Sequence, residues 1–309
     1  MKVCPDCKSS YPGKPPRCPL DGATLYDLGP DLLAGRVVAR HYRMIERCGA
    51  GPTADVYRAH DVTTGTIVAA RVPTAYGSDD AVQRARLDDQ VRAFRAAAPH
   101  DMLVPVLDVL DRAVDGRTVV ITEFVSTPAL PHVLAAGPIA LDVVLAAGVQ
   151  IAALLEHLHA RAVVARDLRA GAVFLATAGT VRARIAIDAL ATGPDAPPDA
   201  VPAARTVSPY MAPAYLCPER IRGEACTPAG DVYALASLLF EMLSGRPAFT
   251  GTPAEIVAQH LEAPAPVLRA HAPHAPKDLE RLVARMFAKV PRFRPAAAEV
   301  RATLASLAG

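Results

Sequence analysis

Apolar and polar residues alternate over two short stretches, residues 42–48 and residues 55–59, as they do in half-buried strands. A glycine-containing turn, residues 49–54, separates the two stretches, and glycine is the residue that best tolerates a tight backbone. Residues 67–72 form a third stretch that is mostly apolar. We therefore predict two strands joined by a glycine-rich turn and followed by a third strand.

Longer apolar patterns farther along predict a buried strand and two helices. Residues 119–125 are apolar over most of their length, and residues 82–97 are the first helix candidate. Residues 141–160 carry apolar side chains on nearly every side, which is typical of a helix in the centre of a core.

The most apolar part of the chain, residues 133–155, is interrupted by Pro138, Asp142 and Gln150. A membrane-spanning helix needs about 20 consecutive, predominantly apolar residues, so we interpret this part as a loop followed by a buried helix. The chain also opens without the apolar segment of a secretory signal. We expect a cytoplasmic protein with no membrane partner.

Composition changes this picture in one respect, which is the distribution of lysine. Of the 309 residues 51% are apolar, which is enough for a large core, and the formal charge of +2 is too small to predict binding to nucleic acid. No lysine, however, occurs between Lys14 and Lys277. Any chemistry that requires a lysine in the middle of the chain is therefore excluded.

The first 25 residues contain two similar short motifs with the spacing of metal ligands. Cys4 and Cys7 form a C-P-x-C motif, and Cys18 and Asp21 form C-P-x-D. Cysteine thiolates and a carboxylate are acceptable ligands of a tetrahedral Zn²⁺, and so small a module needs a metal in order to fold. We predict a structural zinc site; the alternative is a flexible tail with three reduced cysteines.

Three later segments carry a resemblance to a known family. Residues 165–175, A-R-D-L-R-A-G-A-V-F-L, resemble the protein kinase catalytic loop, H-R-D-L-K-x-x-N followed by apolar residues. Residues 211–219 resemble the segment that ends in A-P-E, and Asp188 stands where D-F-G is expected. Residues 38–306 therefore resemble the bacterial Ser/Thr protein kinases.

The resemblance implies an α+β, two-lobed kinase fold behind a small zinc ribbon. Its implied parts are the zinc-ribbon module (residues 1–25), a linker (26–37), a β-rich N-terminal lobe (38–125) and a larger helical C-terminal lobe (126–306). The zinc ribbons that precede some bacterial kinase-like domains resemble the first part, except that Asp21 replaces their usual fourth cysteine.

The resemblance also implies a nucleotide site. The residues that would cover the phosphates or enclose adenine are Gly49, Gly51, Val56, Ala69, Arg71, Glu123, Val125 and Phe174. Thr122 falls at the gatekeeper position, and residues 123–125 at the hinge, the segment that would contact adenine. Phe174 is bulkier than the usual leucine below the base, so it would alternatively fill the adenine pocket.

Several residues that handle phosphate in the family are replaced in the catalytic loop. Asp167 keeps the place of the catalytic base and Asp188 that of a Mg²⁺ ligand. Arg169 replaces the lysine that steadies the transferred phosphate, and Ala172 replaces the asparagine that holds Mg²⁺. The resemblance therefore makes binding of ATP with Mg²⁺ doubtful.

The ATP-pairing lysine is also replaced. Arg71 occupies its position, and arginine presents a planar fork instead of a compact ammonium group. The family's helix glutamate has no counterpart, because the helix candidate contains only Asp88 and Asp89 as acids. One of them would pair with Arg71, or both are solvated charges on the helix surface.

The residues that hold the family's scaffold together remain. By resemblance, Glu219 pairs with Arg294 near the end of the chain, and Asp231 fixes the backbone around Arg166 and Asp167. Loss is concentrated in residues that handle phosphate.

Three functions follow as hypotheses. The first is a pseudokinase that regulates or scaffolds protein partners. The alternatives are a weak Ser/Thr kinase, in which Arg71 and Arg169 serve as the phosphate cations, and a sensor that binds ATP or ADP without transferring phosphate. Thr206 and Ser208 are candidate phosphorylation sites; the alternative is that their loop is simply mobile. No nucleic-acid partner is expected.

Overall fold

A computed structural model describes residues 2–4, 10–11, 16–18, 22–50, 54–74, 81–192, 213–225 and 227–309. Sheet structure dominates the chain up to residue 123 and helices dominate after it. The buried apolar residues form two cores, one under the large sheet and a larger one among the helices. This is the α+β, two-lobed arrangement that the sequence predicts.

The chain begins with a small antiparallel sheet of three strands. They are β1 (Lys2–Val3), β2 (Ser10–Tyr11) and β3 (Tyr26–Asp27), in the order β2-β1-β3. The side chains of Cys4 and Cys18 are buried beside this sheet. Strand β3 begins one residue beyond the predicted end of the module.

The segment that follows β3 is fastened to the glycine-containing hairpin through Arg47. The Arg47 backbone N donates to Asp31 Oδ2 (3.1 Å) and Nη2 donates to the Gly29 carbonyl (3.1 Å). Arg47 Nη1 donates to Asp55 Oδ2 (3.3 Å), and the Arg47 side chain is 9% exposed. Burial raises the pKa of Asp55, and the charge of Arg47 opposes that rise.

The N-terminal lobe is one six-stranded antiparallel sheet in the order β4-β5-β6-β7-β9-β8. Its strands are β4 (Val37–Val38), β5 (Tyr42–Ala50), β6 (Ala54–Asp61), β7 (Ile67–Pro73), β8 (Val106–Val114) and β9 (Arg117–Glu123). The four predicted strands lie within β5, β6, β7 and β9 and the residues just beyond them. Strand β8 was not predicted.

The C-terminal lobe contains most of the helices and two short two-stranded sheets. Its helices are α2 (Leu130–Leu134), α3 (Leu141–His159), α4 (Pro218–Ile221), α5 (Pro228–Ser244), α6 (Pro253–Glu262), α7 (Leu268–His271), α8 (Lys277–Met286) and α9 (Ala297–Ala308). Its strands are β10 (Val163–Val164), β11 (Val173–Ala176), β12 (Arg182–Ile185) and β13 (Ala191–Thr192), paired as β10-β13 and β11-β12. Short 3-10 turns occur at Ala170–Ala172, Ile187–Ala189, Pro213–Tyr215 and Pro291–Phe293.

Helix α3 is the core helix that the sequence predicts. By length and composition it would pass as a membrane span, alone among the helices of the described residues, and half of its apolar window is buried. It packs against α5 and α9. At Gly148 an added Cβ would lie 3.0 Å from both Leu239 Cδ2 and Leu304 Cδ1, so the absent side chain lets the three helices approach closely.

Helix α5 runs through the centre of the C-terminal lobe and is buried from Gly230 to Leu243. Pro228 is its first residue, where a missing N–H costs nothing. Gly245 ends it with φ 71°, in the left-handed region that glycine adopts readily. The side chains that α5 carries are therefore held in the core of the C-terminal lobe.

The remaining helix, α1 (Ala81–Ala97), precedes β8 along the chain. It packs against β13 and the turn Ile187–Ala189. Its residues Ala93 and Ala97 are buried in the core of the C-terminal lobe. The helix predicted over residues 82–97 is confirmed.

Candidate active site

The catalytic-loop aspartate faces two arginines. Arg169 Nε donates to Asp167 Oδ2 at 3.1 Å, and Arg220 Nη1 lies 3.8 Å from Asp167 Oδ1. Arg220 Nη1 also donates a short hydrogen bond to the carbonyl of Arg166. Asp167 and Arg169 were predicted in this loop from its motif, whereas Arg220, which comes from α4, was not predicted.

A buried aspartate on α5 holds the start of the catalytic loop. Asp231 Oδ2 accepts hydrogen bonds from the Ala165 backbone N and from His159 Nε2, both at 2.8 Å. Burial raises the pKa of Asp231, and the hydrogen bond and charge of His159 oppose that rise. The predicted role of Asp231 as the anchor of this backbone is confirmed. His159 was missed, although it stands out as a polar residue in the last turn of an apolar helix.

A buried ion pair joins α4 to the segment just before α9. Arg294 Nη1 and Nη2 donate to Glu219 Oε1 (2.6 Å) and Oε2 (2.8 Å), and the two side chains are 0% and 2% exposed. Arg294 Nη1 also donates to the Ala229 carbonyl at 2.9 Å. Burial alone would raise the pKa of Glu219, but the hydrogen bonds and charge of Arg294 outweigh it and lower that pKa. The predicted pair is confirmed.

The hinge carries an ion pair that the sequence did not reveal. The Glu123 carboxylate accepts two hydrogen bonds from Arg184 of β12, the one from Nη2 at 3.0 Å. These hydrogen bonds lower the pKa of Glu123 and raise that of Arg184. The hydroxyl of the gatekeeper Thr122 donates to the Glu123 carbonyl at 3.2 Å. The hinge is therefore tied to the C-terminal lobe by a side chain.

Two residues predicted to enclose adenine, Val56 and Ala69, lie on the neighbouring strands β6 and β7. Val56 of β6 pairs in register with Gly49 on one side and Arg71 on the other. Ala69 of β7 is opposite Thr122, and it is buried. An added Cβ at Gly49 would lie 3.4 Å from Val56 Cβ.

Phe174, the residue predicted to lie below adenine, is in β11. Its register partner in β12 is Arg184, the residue that binds Glu123, and it also forms an isolated bridge with Ala129. Phe174 and Val125 are both half-buried. The pairing places Phe174 beside Arg184, the arginine of the hinge ion pair.

Arg71 stands in β7 at the position of the family's ATP-pairing lysine, between Val56 and Val120 in register. On α1, Asp89 is buried whereas Asp88 is exposed, and Asp89 Oδ1 lies 3.9 Å from Arg92 Nη2. An ion pair between Arg71 and one of these acids stays a prediction.

The described residues do not offer the ligand set for Mg²⁺ that the kinase family uses. The buried methyl group of Ala172 stands in place of an amide oxygen, and both oxygens of Asp167 face guanidinium groups. The backbone of Asp188 lies in the turn Ile187–Ala189, while its side chain lies outside what is described. Among the described residues no group of three or more His, Cys, Asp or Glu side chains is placed to hold a metal ion.

The predicted zinc site extends beyond the described part of the chain. Cys4 and Cys18 are described, and their side chains are 0% and 3% exposed. Cys7 and Asp21 lie outside the described residues, as does Gly51 of the glycine-rich turn. The zinc site therefore stays a prediction. Thr206 and Ser208, the candidate phosphorylation sites, also fall outside the described residues.

Comparison with known sequences supports the kinase resemblance. The family described as "Protein kinase domain" matches residues 42–304. The probable serine/threonine-protein kinase PknB of Lactococcus lactis subsp. lactis is 28% identical over 258 residues, which cover 82% of this chain and 40% of that protein. The DNA damage-responsive serine/threonine-protein kinase RqkA of Deinococcus radiodurans is 30% identical over 288 residues, or 90% of this chain and 41% of that protein. The chain thus spans about 40% of the length of the curated relatives it matches.

Comparison with solved structures supports the fold. The crystal structure of the Mycobacterium tuberculosis PknI kinase domain covers 89% of this chain and 99% of its own, with a TM-score of 0.68. Sequence identity over that match is 21%, so the likeness speaks for the fold alone.

Proposed function

Because this chain belongs to the protein kinase family and is related to bacterial Ser/Thr kinases, we propose that it is a pseudokinase that regulates or scaffolds protein partners. The observation that carries this proposal is the state of the catalytic loop. Asp167 is held by Arg169 and lies close to Arg220, and the metal-binding position is the buried methyl of Ala172.

The energetics of phosphoryl transfer support the proposal. This reaction depends on cations and donors positioned around the transferred group, and a single well-placed arginine is worth about 10³–10⁵ in rate. The chain lacks both family lysines and the metal-binding asparagine. Such losses are not additive, but together they leave few groups to stabilise the transition state.

The test is transfer of radiolabelled phosphate from ATP, with Mg²⁺ or Mn²⁺, by the wild-type protein and by Asp167→Asn. Autophosphorylation and a general acceptor protein are both followed. The proposal expects the same background signal from the two proteins. Phosphate incorporation that disappears in Asp167→Asn would contradict it.

A weak or unconventional Ser/Thr kinase is the second candidate. It is favoured by the 3.1 Å contact between Arg169 Nε and Asp167 Oδ2, which keeps a cation beside the base, and by relatives that are named as kinases. In this candidate Arg71 and Arg169 are the phosphate cations. A phosphorylated product that depends on Asp167 and is unchanged in Arg71→Ala would count against the role of Arg71.

A nucleotide sensor without phosphotransfer is the third candidate. In this candidate the hinge backbone holds adenine together with Val56 of β6 and Ala69 of β7, and Phe174 lies below the base. Thermal unfolding with ATP or ADP, each with and without Mg²⁺, distinguishes this candidate. No shift in the melting temperature at millimolar nucleotide would contradict this candidate and indicate that the nucleotide site is empty or blocked.

For the N-terminal part we propose a structural zinc site at Cys4, Cys7, Cys18 and Asp21 in a module of residues 1–25, joined by residues 26–37 to the kinase-like domain of residues 38–306. Two features support it: Cys4 and Cys18 are buried, and the Gly22 backbone N donates to the Cys18 carbonyl at 2.9 Å. Elemental analysis of purified protein should find one zinc per chain, and less than a tenth of that in Cys4→Ser/Cys18→Ser.

A further inference from the structure

Asp167 keeps the place of the catalytic base although Arg169 and Ala172, in the same loop, replace the family's lysine and asparagine. Its contacts suggest why it is kept. Arg220 belongs to α4, more than fifty positions later in the chain, yet it is 6% exposed and reaches the catalytic loop. There Nη1 makes two contacts, a short hydrogen bond to the Arg166 carbonyl and an approach of 3.8 Å to Asp167 Oδ1.

The charges in this contact are largely removed from water. The side chains of Asp167 and Arg169 are each 15% exposed and that of Arg220 is 7% exposed. An ion in such a place needs a partner of opposite charge, because an uncompensated buried charge is strongly destabilising. Asp167 supplies a carboxylate oxygen to each of the two guanidinium groups, Oδ2 to Arg169 and Oδ1 to Arg220.

The catalytic loop is also shaped to admit Arg169. A Cβ added at Gly171 would lie 2.2 Å from Arg169 Nη1, so the guanidinium occupies the space that a side chain at position 171 would fill. Arg169 is thereby folded back onto its own loop, where Nε donates to Asp167.

The residue before Arg220 anchors α4 in another direction. Glu219 forms its buried ion pair with Arg294, which also donates to the Ala229 carbonyl. Two consecutive residues therefore connect α4 to the base of the lobe and to the catalytic loop. The contact with Asp167 is the second of these connections.

We propose that Asp167 and Arg220 form a structural latch, in which Asp167 is the anion that holds Arg220, and through it α4, against the catalytic loop. Arg220 is a positioning residue in this account. The inference rests on the proposed pseudokinase function, since it gives Asp167 a use other than accepting a proton from a substrate hydroxyl.

The test is a double-mutant cycle on the full chain with Asp167→Asn, Arg220→Gln and the double variant. Arg222→Gln, an exposed arginine two residues farther along, is the matched control. Each single variant should lower the melting temperature by about 4–8 °C, given the cost of opening a buried pair and the few degrees that each kcal/mol is worth in a chain of this size. The double variant should fall no lower than the worse single variant, and the control should change by less than about 1 °C.

Hydrogen exchange gives the readout that general destabilisation would not produce. Amides of residues 163–175 should exchange faster in Arg220→Gln, and amides of residues 218–222 faster in Asp167→Asn, while those of α9 keep their wild-type rates. Should Asp167→Asn fail to fold, Arg220→Lys keeps the charge and should recover at least half of the loss seen in Arg220→Gln. Equal losses in these two variants would overturn the latch.

Additive shifts of the melting temperature in the double-mutant cycle would also overturn the latch. So would an Asp167→Asn variant with the same melting temperature as Arg222→Gln. The radiolabel assay on the same proteins separates the two proposals. Transfer of phosphate by the wild type would overturn the pseudokinase function while the cycle still measures the latch. Additive shifts without any transfer would overturn the latch alone.

Discussion

Two regions of the chain have kept different parts of the same family pattern. One is the cleft, meaning the nucleotide site implied by the kinase resemblance; the other is the base of the C-terminal lobe, meaning the buried contacts of Glu219, Asp231 and Arg294. In the cleft, Arg71 and Ala172 replace the residues that would hold phosphate and metal. At the base, Glu219 is paired with Arg294 through two hydrogen bonds, and Asp231 still holds the catalytic loop.

Glu219 and Asp231 each have a buried partner, Arg294 and the Ala165 amide respectively, and removing one partner of a buried ion pair is strongly destabilising. We infer that these two residues are retained for their structural contacts.

Asp167 is the instructive case, since it belongs to the cleft by position and to the scaffold by its contacts. Its carboxylate accepts from Arg169 and lies near Arg220. If the comparison is sound, removing Asp167 should resemble removing Glu219 in kind, and should not resemble the removal of an active-site base.

The largest expected effect comes from breaking the ion pair between Glu219 and Arg294 at the base of the C-terminal lobe. Glu219→Gln leaves the guanidinium of Arg294, which is fully buried, without a full countercharge, and should lower the free energy of unfolding by about 3–5 kcal/mol. Urea denaturation measures it. Glu224→Gln, an exposed residue just beyond α4, is the control and should change little. Equal urea midpoints for Glu219→Gln and Glu224→Gln would mean that the pair of Glu219 with Arg294 does not stabilise the C-terminal lobe.

A second effect of the scaffold depends on pH. Burial and the charge of Lys289 lower the pKa of His260 to about 3, against about 6.5 in the unfolded chain. Between these values only the unfolded chain binds the proton, so stability falls as the pH drops below about 6.5. For His260 alone the loss at pH 5 is about 2 kcal/mol.

Urea denaturation at pH 7.5 and pH 5 measures this loss in the wild type and in His260→Gln. The variant should lose about 2 kcal/mol less than the wild type between the two pH values, whatever its stability at pH 7.5. His274→Gln, at an exposed position, should keep the wild-type difference. A difference that survives in His260→Gln would show that other groups carry the pH dependence.

A smaller effect is expected at the hinge. The side chain of Glu123 is 45% exposed, so solvent weakens its pair with Arg184, and Glu123→Gln should cost about 0.5–1 kcal/mol. The pair lowers the pKa of Glu123; its contribution is therefore complete above the unfolded pKa and is lost as the pH falls through the folded one.

Urea denaturation of Glu123→Gln at pH 7 and pH 3.5 tests this contribution, with Glu262→Gln, at an exposed position, as the control. The difference between wild type and Glu123→Gln should shrink at the lower pH. A loss of 3 kcal/mol or more at pH 7 would place the hinge among the scaffold contacts and blur the comparison.

The smallest effect is expected at Arg71. If the cleft no longer handles phosphate, Arg71→Met should leave the dependence of the melting temperature on ATP concentration unchanged. Arg58→Met, which removes an arginine from the neighbouring strand, controls for the loss of one charge. A clear fall in the ATP response that is specific to Arg71→Met would show that this guanidinium contacts nucleotide.

The sequence predicted those parts of the fold that have a local pattern. Strands β5, β6 and β9 and helix α3 lie close to where alternation or an apolar run indicated them. Strand β8 escaped because Asp108, Asp111 and Arg112 interrupt its apolar residues. It is an edge strand, and solvent on its free side permits such residues.

The candidate site was predicted where a motif names the residue, and missed where the contact joins distant segments. Asp167, Asp231 and Glu219 were found through local motifs. The pairing of Glu123 with Arg184 joins residues 61 positions apart. The sequence around either residue does not indicate which residue it pairs with. Arg220 was missed for the same reason, since only the folded chain brings α4 to the catalytic loop.

We propose that the cleft has lost phosphate and metal handling while the fold is kept. Calorimetric titration of ATP into the wild-type protein, with and without Mg²⁺, tests this most simply. The account predicts that Mg²⁺ leaves the heat and the affinity unchanged, whether or not adenine binds. Mg²⁺-dependent binding that is at least tenfold tighter than binding without the metal, and that is lost in Asp188→Asn, would contradict it.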